Sequence, residues 1–356
     1  MTDITSRKSQ HIQIVAEGRG LQHSRATGFD AVHFQHDALP DLDFDEIRTG
    51  TRLLGRTLGA PLMVSAMTGG PVEAGRINAH IAEGCQHLRI ALSVGSQRIA
   101  VEDGAAGGLG RDLRDRAPDI PILGNIGAVQ LNYGFGPDQA LRAVEMIGAD
   151  ALILHLNPLQ EAIQPGGDRN FAGLLPRVEA LARALPVPLG VKEVGAGLSA
   201  PVARRLIEAG ASIIDVAGLG GTSWARVEAE RGPDALRRIA APFHDWGIPT
   251  ADALRQVAPV MAPGGVLVAS GGVRHGLDVA RAIRLGADLA GQAAHALAAA
   301  RTSAEALVAH FDEVIAQLRI AMFCTGSRDL AALRHATLLR QDECWQSPGQ
   351  GSSVGA

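Results

Sequence analysis

The sequence predicts an α/β fold of the TIM (β/α)8 barrel class, and three observations carry that reading. First, short apolar runs alternate eight times with helical segments, at residues 61–66, 91–95, 121–127, 151–156, 188–194, 212–218, 266–272 and 289–293. Alternation of this kind makes parallel βα units with right-handed crossovers, which close into a barrel or wind doubly. Second, the first four runs begin roughly 30 residues apart, the length of one strand, one helix and two turns. Third, Gly-Ala-Asp or Gly-Ala-Ser precedes three runs (148–150, 210–212 and 286–288), with Gly placed to end the preceding helix. A dinucleotide-binding doubly wound sheet would need Gly-x-Gly-x-x-Gly after its first strand, and none follows Ser65.

Residues 1–59 are polar and poorly periodic, with a possible short helix through Glu17. They are expected to form an extension packed on the barrel or on a neighbouring subunit. The barrel with its C-terminal helices should occupy residues 60–345 as one domain, since α/β barrels commonly run to about 250 residues. About 50 residues separate the sixth and seventh runs, so the loop after the sixth strand carries an insertion over the catalytic face, a candidate lid. One or two helices follow Ala300, and the tail 346–356 has the composition of a disordered segment.

Composition narrows the function. With 46% hydrophobic residues but only 3% aromatics, the core must be filled by Ala, Val, Leu and Ile, as in a buried parallel sheet. A net charge of −4 supplies no general field for nucleic acid or an anionic membrane, so an anionic ligand requires a local pocket. Three widely spaced cysteines without a CxxC pattern argue against a structural zinc site and for a reducing compartment. The N-terminus lacks an apolar signal region and no apolar run reaches membrane-spanning length, so a cytoplasmic protein is expected.

In a barrel the carboxyl ends of all strands converge on one face, so the polar residues after each run form one candidate site. The densest stretch is 151–167, an apolar strand ending in His155, Asn157, Gln160 and Glu161. Asn157, Pro158 and Gln160 also read as N-cap, first position and N3 of a capping box. Pro165-Gly166-Gly167 stops that helix early, and a longer helix is expected over 172–185. Gly271-Gly272, with small residues after the eighth strand, suits a phosphate at a helix N-terminus. Lys192, inside the apolar run Pro188 to Val194, must face an anion, a carbonyl-rich ligand or Glu193, or form a Schiff base. Glu161 is the metal candidate, as a carboxylate able to share Mg²⁺ with a phosphorylated ligand. Asp215 fits either a ligand contact or a buried paired carboxylate.

Across residues 6–340 these motifs together resemble the type 2 isopentenyl-diphosphate delta-isomerases. The resemblance rests on Arg7-Lys8-x-x-His11, Met67-Thr68-Gly69-Gly70, Gly95-Ser96-Gln97-Arg98, His155-Leu-Asn157-x-x-Gln160-Glu161, Val191-Lys192-Glu193-Val194-Gly195, Gly220-Gly221-Thr222-Ser223-Trp224 and Trp246-Gly247-Ile248-Pro249-Thr250. It implies an enzyme that shifts a double bond between isopentenyl and dimethylallyl diphosphate. FMN would be the acid–base cofactor, NADPH its reductant, and the assembly a homo-oligomer, a tetramer or octamer. By motif position it implies FMN contacts from Ala66, Met67, Thr68, Ser96, Asn125, Lys192 and Thr222, with Gly272, Val273, Arg274, Ala293 and Ala294 around the FMN phosphate. Arg7, Lys8, Ser96, Gln97, Arg98 and Gln160 would bind the substrate diphosphate, and Glu161 Mg²⁺. Gln160, His155 and Lys192 are the implied catalytic groups.

The chain departs from the family pattern at Gln10, where Glu is usual, and at Ala66 and Ala217, where Ser is common. Two other readings exist for such a barrel. An FMN-dependent 2-hydroxy-acid oxidase would use an Arg and His pair, for which Arg274-His275 is available. A flavin- or prenyl-phosphate-binding protein without catalysis would keep the pocket alone.

Overall fold

The structure, a computed structural model, describes residues 2–21, 27–66, 72–104 and 108–339, with the side chains of 2–7, 72–73 and 103 outside that description. Met67, Thr68 and the expected tail 346–356 lie outside the described residues, as does the side chain of Arg7.

A helix, α1 (Thr2–Ala16), precedes a hairpin of β1 (Thr51–Leu53) and β2 (Arg56–Leu58). The barrel then runs β3 (Leu62–Val64), α2 (Val72–Leu88), β4 (Ala91–Ser93), α3 (Arg98–Asp103), α4 (Arg111–Arg116), β5 (Ile122–Gly127) and α5 (Pro137–Ile147). Next come β6 (Ala151–Leu156), α6 (Pro158–Ile163), α7 (Leu174–Ala184), β7 (Leu189–Glu193), α8 (Ala200–Glu208) and β8 (Ile213–Asp215). The long loop holds α9 (Trp224–Arg231) and α10 (Asp234–Ala240) before α11 (Thr250–Val257). The chain closes with β9 (Val266–Ala269), α12 (Gly276–Arg284), β10 (Leu289–Gln292), α13 (Ala294–Thr302), α14 (Ala304–Phe323) and α15 (Leu330–Leu333).

Strands β3 to β10 pair in parallel in sequence order, and β10 pairs with β3 to close the barrel. All eight expected runs contain one of these strands. Alternate residues face the barrel axis, and at its lower end Met63, Ala91, Leu123, Ala151, Ile153, Ile213, Val268 and Leu289 form one apolar cluster in stacked layers. The hairpin plugs this end, because Leu53 and Leu58 join the cluster. Burying Leu58 completely contributes about 2 kcal/mol. Its turn places Leu54 at φ 49° and Gly55 at φ 79°, both in the left-handed region that a tight hairpin demands. That hairpin was not expected: three-residue strands around Leu-Gly have no periodicity to detect.

The extension lies across its own barrel. Helix α1 buries Ile12 and Ile14 and packs on α9 and α13. Leu21 bridges Thr222, and the Ser223 N–H donates to Gly20 O at 2.9 Å. Further on, the Gln35 N–H donates to Thr337 O and the Asp37 N–H to Cys324 O, tying the extension to the C-terminal helices. Helix α9 in turn packs on α6, so the sixth-loop insertion covers the carboxyl face with α1 beside it. No helix among the described residues is long and apolar enough to cross a membrane.

Candidate active site

A cavity of about 260 Å³ opens at the carboxyl ends of the strands, under α1 and α9. Ala66, Ser96, Asn125, His155, Lys192 and Thr222 each line it from a different strand end, with Gly272, Val273, Ala293 and Ala294 on the far side. Lys8 of α1, Arg98 of α3 and Gln160 and Glu161 of α6 complete its rim. Residues that are scattered over almost 290 positions are gathered here because parallel strands all end on one face.

Strand register sets the floor. Gly127 pairs with His155, His155 with Lys192, and Lys192 with Asp215, so three titratable groups stand in one row across adjacent strands. The Asn125 amide donates to Val94 O at 3.0 Å, which leaves its Oδ1 to accept from His155 Nδ1–H at 2.9 Å. That bond selects the tautomer in which Nε2 is an acceptor. Burial, then Lys192 and Lys8, hold the His155 pKa down to about 3, so the ring is neutral.

Lys192 Nζ donates to the Glu193 main-chain oxygen at 2.5 Å. The Glu193 carboxylate turns the other way and accepts from the N–H groups of Val194, Gly195 and Ala196 at 2.6, 2.7 and 2.5 Å. A Lys192–Glu193 side-chain pair is therefore not what holds the lysine. The facing acid is Asp215, whose pKa burial pushes up while Lys192 pulls it down. Asp215 Oδ1 accepts from Ser270 Oγ at 2.7 Å and from the Ala217 N–H at 3.2 Å. Ala217 sits at φ 37°, a strained conformation for a residue with a Cβ, at the edge of the cavity.

The helix after β6 begins where expected, with Asn157 at its N-cap and Pro158 first, but the capping box is absent. The Asn157 side chain instead donates to Gln160 Oε1 at 3.2 Å and Glu161 Oε1 at 2.8 Å. Glu161, 8% exposed, also accepts the Asp168 N–H on Oε2 at 2.7 Å. The buried oxygens Gln130 Oε1 and Asn157 Oδ1 lack partners among the described residues and belong to cavity-lining side chains. No group of three metal-ligating side chains occurs among the described residues. An oxygen-seeking cation fits beside Glu161 only if a bound ligand supplies further oxygens, which is the usual way Mg²⁺ meets a phosphorylated molecule.

The opposite side is made of glycines. A Cβ on Gly272, at φ 75°, would stand 2.3 Å from Gly220 O, and one on Gly221 would stand 2.7 Å from the Gly272 nitrogen. Main chain thus packs on main chain, leaving peptide groups as the surface. Of the two helices that start here, α12 is already capped: His275 Nδ1 accepts the Asp278 N–H at 3.2 Å. Helix α13 has Ala293 at its N-cap and no side-chain cap, so its first turn can serve an anion. A phosphate monoester between this turn and the glycine loops would meet main-chain N–H groups rather than side chains.

Two expected contacts are corrected. Gln97 is fully buried and does not reach the cavity; its amide donates to Ala143 O at 2.7 Å and accepts the Asn125 N–H at 2.8 Å, bracing β4 against β5. Arg274 points away from the phosphate side, because Asp278 accepts from both its N–H (3.2 Å) and its Nε (2.8 Å), and Asp30 from Nη2 (3.1 Å). With His275 capping α12, the Arg-His pair that an oxidase would require does not line the cavity.

The residue that sequence reasoning missed is Glu228 on α9. It is 0% exposed, its carboxylate receives Gln160 Nε2 at 3.0 Å and Arg231 Nη1 at 2.5 Å, and His11 Nε2 lies 3.0 Å from it. Arg231 Nε also donates to Gln10 Oε1 at 3.0 Å. Extension, insertion and α6 meet at one acid. The only signal in the sequence is a glutamate inside the otherwise small buried face Ala225, Val227 and Ala229.

Fold and site together define a barrel enzyme whose cavity is walled by glycine main chain on one side and has a cation-rimmed, amide-lined polar end on the other. The chain matches the FMN-dependent dehydrogenase family over residues 168–340. It is 58% identical to the isopentenyl-diphosphate delta-isomerase of Xanthobacter autotrophicus over 94% of this chain and 98% of that one. The enzyme of the same name from Stutzerimonas stutzeri is 56% identical over 96% and 99% of the two chains. Identity this high along nearly the whole length settles the family: the chain belongs to the isopentenyl-diphosphate delta-isomerases. Among solved structures, a mandelate oxidase shares the fold, with a TM-score of 0.63, 17% identity, and coverage of 95% of this chain and 97% of that one.

Proposed function

We propose that this protein interconverts isopentenyl and dimethylallyl diphosphate in isoprenoid synthesis, with FMN as cofactor, Mg²⁺ held through Glu161, and NADPH as the source of reduced flavin. The observation that carries the reading is the division of the cavity into a peptide-lined phosphate cradle at α13 and a polar rim formed by Lys8, Arg98 and Glu161. One anionic group belongs to the cofactor and the other to the substrate. The expected cytoplasmic homo-oligomer, a tetramer or octamer, belongs to the same proposal.

The reaction moves one proton onto an unactivated alkene and removes another from a neighbouring carbon, with no net oxidation. Bound FMN in its reduced form supplies the acid–base group for that exchange. The protein's residues do the remainder. Ala66, Ser96, Asn125 and Thr222 border the cofactor, and Met67 and Thr68 take part by motif position. The α13 N-terminus, Gly272, Val273, Ala293 and Ala294 receive its phosphate. Lys192, in a row with Asp215 at the cavity floor, would hold a positive charge beside a bound reduced flavin. Lys8, Arg98 and the Mg²⁺ at Glu161 hold the diphosphate, joined by Arg7 and Ser96, so binding energy far from the reacting carbons orients them. Gln160, its amide fixed between Asn157 and Glu228, touches the substrate beside those carbons. His155 offers a neutral Nε2 acceptor and no positive charge, which suits a cavity where cationic character develops on hydrocarbon. Helices α1 and α9 exclude water from it.

The test is to incubate the purified protein anaerobically with isopentenyl diphosphate, FMN, Mg²⁺ and a reductant. Dimethylallyl diphosphate is the expected product. Its absence from protein whose visible spectrum shows bound flavin would leave the binding-only reading in its place.

A further inference from the structure

The Asp168 side chain has no part in the site described so far, and it lies in the short loop that follows α6. Pro165, Gly166 at φ 69° and Gly167 fold this loop back over the helix. A Cβ on Gly167 would stand 2.2 Å from Glu161 O, so the loop lies directly against the metal-candidate residue. Arg169 seals the fold-back by donating Nε to Glu161 O at 3.2 Å and Nη2 to Gln164 O at 3.4 Å. Asp168 is thereby set between two elements of the rim. Its N–H donates to Glu161 Oε2 at 2.7 Å, and its Oδ2 accepts from Arg98 Nη1 at 2.7 Å and from Gln130 Nε2 at 3.0 Å.

The effect on Arg98 follows from the shape of a guanidinium. Glu102 holds Nε at 3.1 Å and Asp168 holds Nη1 at 2.7 Å, so two carboxylates on separate elements fix the plane of the group. Nη2 has no partner among the described residues, and Arg98 lines the cavity. A long, partly exposed side chain would otherwise spread over several rotamers and lose that freedom each time an anion bound. The Gln130 bond orients the carboxylate in turn, while Gln130 Oε1 has no partner among the described residues.

We infer that Asp168 is a positioning residue that aims Arg98 at the diphosphate subsite and sets its spacing from Glu161. The inference rests on the proposed function for the identity of the diphosphate. The geometry of Arg98, Asp168 and Glu161 requires only a polyanion. It differs from a structural role because one side chain addresses the anion-binding arginine while its own backbone addresses the metal-candidate carboxylate, so the two functions of Asp168 separate on substitution.

The experiment uses the flavin-loaded holoenzyme, with inorganic pyrophosphate as probe of the subsite and isopentenyl diphosphate as substrate. Asp168→Asn keeps the shape and the N–H to Glu161 but removes the charge. Pyrophosphate should bind about tenfold more weakly, the usual cost of losing one charge-assisted contact, and KM should rise accordingly with kcat changed less. Flavin spectrum and thermal midpoint should match wild type. Asp168→Glu should restore part of the affinity. In an Arg98→Ala background, Asp168→Asn should have no further effect on pyrophosphate binding. Additive losses in the double variant, unchanged binding in Asp168→Asn, or tighter binding would each overturn the inference, the last by making Asp168 a competitor for Arg98. If wild type binds pyrophosphate yet turns over no isopentenyl diphosphate, the proposed function fails while the coupling of Asp168 to Arg98 is still decided by binding.

Discussion

Replacing Glu228 by Gln removes one negative charge from a completely buried position without changing the volume of the side chain. Side chains of three elements converge on that carboxylate: Gln160 of α6 and Arg231 of α9 donate to it, and His11 of α1 stands 3.0 Å away. The Arg231 and His11 side chains are only 15% and 12% exposed, so water replaces the lost charge poorly. Breaking a buried pair by removing one partner costs about 3 kcal/mol when, as here, the other keeps some contact with solvent. The barrel does not depend on this acid, so the cost falls on the docking of α1 and α9, equivalent to roughly a hundredfold shift in that equilibrium. Burial alone would raise the Glu228 pKa, but the bonds from His11 and Gln160 and the charge of Arg231 outweigh it, and the net shift is downward from 4.5. A carboxylate with a depressed folded pKa stabilises at pH above its unfolded value and loses that contribution as pH falls through the folded one. Hydrogen exchange of residues 2–16 should therefore quicken in Glu228→Gln at pH 7, and in wild type only on acidification below about 4.5. Turnover should fall by up to the same hundredfold, since Gln160 and Arg231 then compete for the single remaining side-chain oxygen and Gln160 is held less firmly. Wild-type exchange in α1, together with kcat/KM within about twofold of wild type, would refute the reasoning.

Three further outcomes are expected. His155, ordinarily near 6.5 and held down to about 3 by burial, Lys192 and Lys8, contributes stability that is complete above about 6.5 and drains away toward pH 3; urea titrations from pH 7 to 4 should show a shallower loss in His155→Gln than in wild type. Gly272→Ala forces a Cβ to 2.3 Å from Gly220 O at φ 75°, at about 1–3 kcal/mol for the backbone alone, so equilibrium dialysis should show weakened FMN binding and calorimetry a lower Tm. Glu161→Gln should raise the Mg²⁺ concentration for half-maximal turnover about tenfold or more, with the flavin spectrum intact; bleached protein would move Glu161 from metal to cofactor.

The alternation of apolar runs and helices determined the barrel by itself, because a parallel strand buried on both faces must be apolar throughout and its helix must return over it. The strand ends followed from the same pattern, which is why His155, Lys192 and Glu161 were legible as neighbours though separated in the chain. What the tertiary structure alone decided was where each polar group points. Gln97 lies in the same motif as Arg98 but spends its amide on the β4–β5 backbone, and Arg274 follows Gly272 and Val273 yet turns back to Asp278. Asn157 has the sequence of an N-cap and the contacts of a clamp on Glu161. Glu228 and Asp168 owe their importance to contacts across 68 and 70 residues, respectively. No local pattern encodes these, because hydrophobic periodicity reports which face of an element is buried, whereas the partner of a buried polar atom is set by the other elements that the fold brings against it.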